Sequence, residues 1–282
     1  MFENTPPSTS SMTKEWAPSL AFRRFQGKQY ELNRLYWTQV ISHEALGQVL
    51  EMKDKATQTL NALNMDIPAM RHFHTVEETK QWAPEYLNRS RLHLLVICAA
   101  NLESYLKEIT FWHLYSNGYK SKNAKKLDAI GNAIGRPILS RSSLPEPLKY
   151  AQLLFHLDFG TNLTKWQRFY KLRCAAAHNG GMVTARTLKD IPDLTTPLHH
   201  PIGLSWKELK DALASAEHIA KAIDQKATDK RLRLNEVKHE LDELKSIGNL
   251  PEKERLWEFI HQNYGLKGLK RREKANIEAE LY

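Results

Sequence analysis

Apolar positions along the chain recur at helical spacing and not at the two-residue spacing of strands. From Gln29 to Leu63 they fall at Leu32, Leu35, Tyr36, Val40, Ala45, Leu46, Val49 and Leu50, which predicts one long helix with a break near Gly47. Thr75-Val-Glu-Glu78 is a capping-box sequence and predicts the start of a short helix. Pro84 suits the first turn of the next one, expected to run to Ser116. That helix carries the most apolar stretch of the chain, Leu94 to Ala100, and is expected to be the central core helix. Lys120 to Ile134 reads as basic and amphipathic, and Pro145 to Leu157 as a helix stopped by Gly160. A further helix is expected from Thr164 to His178, ended by Asn179-Gly180-Gly181, because glycine accepts the left-handed backbone that closes a helix.

Residues 182–204 hold three prolines and read as a loop, with room for a short hairpin. Ser205 is expected to cap one long helix through Ser246, stopped at Gly248-Asn249. Two short helices follow, Pro251 to Tyr264 and Gly268 to Leu281. No internal repeat is visible. The pattern therefore predicts an all-α fold, a bundle of long helices with a small helical C-terminal appendage. Residues 1–14, rich in Pro, Ser and Thr, are expected to be a disordered lead. The helical domain is expected over 15–246, with its core in 85–225, and the extension over 247–282.

Composition adds three constraints. Only 12 Gly and 12 Pro in 282 residues argue against a turn-rich β sandwich. A net charge of +9 fits a protein that meets a polyanion, nucleic acid first among them. The two cysteines, Cys98 and Cys174, sit in Ala-rich apolar contexts and read as buried free thiols in a reducing compartment. With no secretory signal and no apolar run of membrane-spanning length, a soluble, cytoplasmic protein with no membrane contact is expected.

Candidate chemistry concentrates in Phe169-Tyr-Lys-Leu-Arg173-Cys-Ala-Ala-Ala-His178-Asn-Gly-Gly. Arg173 and His178, five apart on a helix, differ by about 140° in azimuth and about 7.5 Å along the axis. One helix cannot easily aim both at one small target. Two copies meeting across a two-fold axis can, since such a contact uses the same patch twice. The small residues Cys174 to Ala177 would let another helix approach closely.

This pattern, Arg-x-x-x-x-His followed by Asn-x-Gly late in a helical bundle, resembles the HEPN superfamily. A second match lies in the core helix, Leu94-Leu-Val-Ile-Cys-Ala-Ala-Asn-Leu-Glu103-Ser-Tyr-Leu-Lys-Glu108, similar to the HEPN helix with an acidic or polar residue before an aromatic-Leu pair. Together the matches anchor residues 85–225. The resemblance implies a metal-independent endoribonuclease in which the RNA 2′-hydroxyl attacks the adjacent phosphate and leaves a 2′,3′-cyclic end. It implies an acid or base role for His178, since imidazole exchanges protons near neutral pH. Arg173 would then meet the developing phosphorane charge, Asn179 would orient the histidine or donate to substrate, and Glu103 would position Arg173 or His178. Where many relatives place a polar residue directly after the arginine, this chain has Cys174.

Of the basic clusters, Lys120, Lys122, Lys125 and Lys126 form the strongest candidate for RNA backbone contacts. Arg89/Arg91 and the run from Lys267 to Lys274 read as solvated faces. His72, His74, His199 and His200 have no Cys, Asp or Glu partner at recognised spacing, so no metal and no cofactor are expected. The stripe Leu232, Leu234, Val237, Leu241 and Leu244 suits packing against a dimer mate, the appendage or an antitoxin. The resemblance thus implies a homodimeric RNA-cleaving toxin or phage-defence effector with a composite site, held by an antitoxin or defence-system partner. A non-catalytic HEPN module in a larger assembly is the alternative, and a DNA-binding regulator ranks last for want of a helix-turn-helix.

Overall fold

A computed structural model describes residues 17–64, 74–118 and 146–282. Ten α-helices and one 3₁₀ turn, Lys253–Arg255, account for nearly all of the regular structure there. In chain order the helices are α1 (Leu20–Glu51), α2 (Thr59–Ala62), α3 (Val76–Ser116), α4 (Glu146–Phe155) and α5 (Gly160–Asn179). They continue with α6 (Ala185–Asp190), α7 (Trp206–Ala227), α8 (Lys230–Ser246), α9 (Leu256–Tyr264) and α10 (Arg271–Leu281). The only extended pairings among the described residues are two isolated bridges, Gln58 with Thr75 and Met182 with Pro201. The fold is all-α.

Helix α3 lies at the centre and packs against α1, α4, α5, α7 and α8. Its inward residues Leu95, Leu102, Leu106 and Ile109 are fully buried, each contributing roughly 1.5–3 kcal/mol of burial. Helix α1 runs antiparallel to it. Phe22 and Phe25 meet Tyr105 at one end, and Leu50 meets Val76 at the other. Tyr36 stacks on Trp206 of α7 with ring centroids 4.3 Å apart, tying the third long helix to the first.

Several element boundaries differ from the periodicity reading, each for a local reason. Helix α1 starts at Leu20, not near Gln29, because its first turn is held by buried acids. Leu20 N and Ala21 N donate to Glu236 at 2.9 and 3.2 Å, and Ser19 accepts from Phe22 N while its own hydroxyl donates to Asp224. It ends at Glu51, and an Asp54-centred turn separates it from α2. Gly47 causes no break. The Thr75–Glu78 capping box forms, but the helix it opens continues straight through Pro84 to Ser116. One missing N–H and one free carbonyl are tolerated there because the rest of a 41-residue helix is held by packing. Gly160 opens α5 at φ +52 where a stop was expected, with its N–H bonded to Asp158.

The expected single helix from 205 to 246 is two. Thr228 adopts an extended backbone, and the Asp229 side chain accepts from Leu232 N at 2.7 Å to start α8 afresh. The apolar stripe on α8 meets the C-terminal helices: Val237 and Leu241 pack with Leu256, Ile260, Leu266, Ile277 and Leu281, and Leu20 of α1 joins the same cluster. Ser205 caps α7 as expected, in a reciprocal box with Glu208 whose hydrogen bonds are 3.0 and 3.2 Å. Ser205→Ala is expected to lower unfolding free energy by about 1 kcal/mol in a urea titration. No measurable loss would show that packing alone sets where α7 begins.

Candidate functional site

Helix α5 ends as its sequence requires. Gly180 takes the left-handed conformation at φ +59, and its N–H closes onto Ala175 O. Gly181 follows at φ +74, with Leu92 Cδ2 only 3.2 Å from where a Cβ would sit. Two successive residues with no side chain turn the backbone sharply, so the segment after α5 folds back beside it. Val183, Ile191, Ile202 and Leu204 are buried and pin that segment to the bundle. Residues 182–204, expected as a loop with a hairpin, contain the bridge between Met182 and Pro201 and also the short helix α6, whose start is capped by Thr184 with Thr187.

The space between α5 and α6 is an open cleft of about 670 Å³. One face of α5 lines it through Tyr170, Lys171, Cys174 and His178 with Asn179, and α6 supplies Arg186 and Asp190 opposite. Residues 170, 174 and 178 are spaced by four, so they stack along one stripe of the helix. His178 and Asn179 are both exposed. The walls are braced from behind. Lys171 Nζ donates to Asp190 O at 2.7 Å, and Arg168 bridges Asp193 at 2.7 Å and Glu208 at 3.1 Å. That bond to Arg168 holds the Asp193 carboxyl below the usual carboxylate range.

Arg173 leaves the stripe. Its guanidinium faces α3, where Nη2 lies 3.8 Å from Glu103 Oε1, an ion pair too long for a hydrogen bond. Both side chains are 21% exposed. Arg173 Nε and Glu103 Oε1 are buried and have no hydrogen-bond partner among the described residues. The guanidinium also lies over the Tyr170 ring, 5.5 Å from its centroid. Burial, the Glu103 carboxylate and the neighbouring Cys174 push the Tyr170 phenol up from its ordinary value, with Arg173 pulling the other way. At neutral pH Tyr170 is a neutral phenol.

The structure therefore brings Glu103 to Arg173, and His178 and Asn179 to the cleft, but it does not bring the two pairs together within the chain. Lys120, Lys122, Lys125 and Lys126 lie outside the described residues, as does His72. Of the remaining histidines singled out by sequence, His74 packs on Trp82, while His199 N and His200 O pair with the backbone of Val183. Among the described residues no three His, Cys, Asp or Glu side chains are grouped closely enough to hold a metal ion. Cys98 is buried and its thiol is pushed up to about 12 by that burial, whereas Cys174 is only half-buried. Of the described helices none is long and apolar enough to cross a membrane.

The sequence reading missed Arg186 and gave no role to Lys171 or Tyr170. Tyr170 had a signal, its four-residue spacing to Cys174 and His178. Arg186 had none, because α6 is too short to show periodicity and its cap pairs two threonines where a Glu or Gln signature is usual. No protein-family model, characterised protein or solved structure significantly matches the chain.

Proposed function

We propose that the chain is a HEPN-type, metal-independent endoribonuclease whose active unit is a homodimer. The observation that carries this reading is the divergence on α5: His178 and Asn179 open onto a cleft bearing Lys171 and Arg186, while Arg173 turns off onto Glu103 of α3. A single chain offers a proton-transfer group without Arg173 beside it. A two-fold partner would set His178 of one copy near Arg173 of the other. The Arg173 side chain keeps about a fifth of its surface exposed, and that part is what is left to meet a phosphate oxygen.

In this reaction one histidine removes the proton of the RNA 2′-hydroxyl. The 2′-oxygen bonds to phosphorus, and the 5′-oxygen of the next nucleotide leaves with a proton taken from water, to which the histidine afterwards returns the one it accepted. Arg173 stabilises the pentacoordinate charge, and no step draws on a cofactor. The biological setting that goes with this chemistry is a toxin or phage-defence effector, kept silent by an antitoxin or another partner protein of its system.

End-labelled RNA incubated with the purified protein in EDTA tests the reaction class. The expected products carry 2′,3′-cyclic phosphate and 5′-hydroxyl ends. Products with 5′-phosphate ends, or cleavage that needs a divalent ion, would overturn the proposal.

A further inference from the structure

Tyr170 sits where the two halves of the candidate site meet. It lines the cleft with His178 two turns along the same stripe, and the Arg173 guanidinium lies over its ring. The ring carries a cation from its own helix, and the residue also borders open space. Its hydroxyl end lies beside Cys174, one turn on. A tyrosine that served only to pack Arg173 against the bundle would not need to border the cleft.

The dimensions agree with a flat ligand. A cleft of about 670 Å³ lies within the range of about 300–1,000 Å³ that holds a nucleotide-sized molecule. Its cations, Lys171 of α5 and Arg186 of α6, converge at Asp190: Lys171 Nζ donates to its carbonyl at 2.7 Å, and Arg186 Nε lies 3.6 Å from its carboxylate. Arg186 is 89% exposed and paired to Asp190 only at 3.6 Å, so its guanidinium is available to a phosphate. An aromatic ring beside two gathered cations matches one base with its adjoining phosphate.

We propose that Tyr170 is the platform on which an unpaired base next to the cleaved phosphate stacks, and that the cleft therefore takes single-stranded or looped RNA and excludes continuous duplex. The proposal rests on the ribonuclease reading and narrows it. Bases within a duplex hide both faces against their neighbours, so a ring on the wall of a cleft reaches them only where the strand is unpaired. Arg173 polarises the ring from the face it lies over, and the base closes the other, giving a cation, ring and base in one stack.

The test uses a short RNA with 2-aminopurine in an unpaired stretch, and the same strand annealed to its complement. Both are titrated in EDTA against the full chain carrying His178→Ala, which holds the RNA uncut. Quenching of the single-stranded probe and little binding of the duplex are expected. Adding Tyr170→Leu should weaken single-strand binding by about 5- to 150-fold and abolish the quench. Tyr170→Phe and Tyr170→Trp should retain both, which a role confined to the hydroxyl would not produce, while the 2-aminopurine quench reports contact with the base itself and not the packing of Arg173. Equal binding of duplex and single strand, or undiminished quenching in Tyr170→Leu, overturns the Tyr170 assignment and leaves the ribonuclease reading standing. RNA that neither binds nor is cut by the wild-type chain overturns both.

Discussion

His178→Ala is expected to slow RNA cleavage by about 10²–10⁴-fold, the span by which a positioned acid or base accelerates such a step. Arg173→Ala should be comparably impaired. An equal mixture of the two inactive chains should recover about a quarter of wild-type activity, because random pairing makes half of the dimers mixed and each mixed dimer has one intact site of two. The geometry behind this is specific. Arg173 faces Glu103 on α3 and His178 lines the cleft, so within one chain the two do not face a common target. The His178 change should leave unfolding midpoints close to wild type, since that side chain is exposed and surface truncations are mostly within about 0.5 kcal/mol. Single-turnover cleavage in EDTA, with the two variants apart and mixed, decides the matter. A mixture that stays inactive would show that each chain carries its own complete site. Full activity in His178→Ala would remove the histidine from the chemistry altogether.

How far this site was legible depends on the kind of signal. The divergence of Arg173 and His178 follows from 100° per residue alone, and the glycine pair after Asn179 announces the stop that exposes them. The partnership of Glu103 with Arg173 is a contact between α3 and α5, which no local pattern encodes; only the resemblance raised it. The far wall of the cleft was invisible, because it comes from a six-residue helix held by buried Val183 and Ile191 and not by its own periodicity. The same distinction runs through the fold. Thr75 and Glu78 mark a helix start because the cap is local, and they do mark one. Pro84 resembles a second start, yet tertiary packing carries α3 through it. Asp229 resembles any charged surface residue until its side chain is seen accepting from Leu232 N, and that one bond divides what periodicity joins. The start of α1 escaped for a further reason: the residues that hold it, Asp224 and Glu236, lie more than two hundred positions away along the chain.

Those distant acids lead to the second large effect. Glu236 is 1% exposed. Its burial pushes the carboxyl up to about 7, despite the N–H donors of Leu20 and Ala21 and the nearby Arg24, with Glu108 adding to the rise. The charged and titratable groups that interact with it are Arg24 on α1, Tyr105 and Glu108 on α3 and Arg233 on α8, and these interact in turn with Arg23, with Asp224 on α7 and with Glu240 on α8. A carboxyl raised in the folded state holds a proton between pH 4.5 and about 7 that the unfolded chain has released. Over that window the folded state binds more protons, so stability falls as pH rises, and above it the loss is complete. A rise from 4.5 to about 7 corresponds to roughly 3 kcal/mol. Glu208 acts in the opposite sense. Burial raises its carboxyl, but Ser205 and Arg168 outweigh that and hold it low, so its contribution is lost only in more acidic solution. Urea unfolding between pH 5 and 8.5 should therefore show the wild-type chain losing stability toward alkaline pH, and Glu236→Gln should flatten that slope because the amide does not titrate. Protection factors at residues 20–25, which correct for the intrinsic rise of exchange with pH, should fall over the same range in the wild type alone, since the first turn of α1 packs on the carboxyl that ionises. An unchanged slope in Glu236→Gln would assign the titration to another group. The direction is the informative part: the two N–H donors favour the anion and the surrounding core opposes it, and a slope of the reverse sign would show that the donors win.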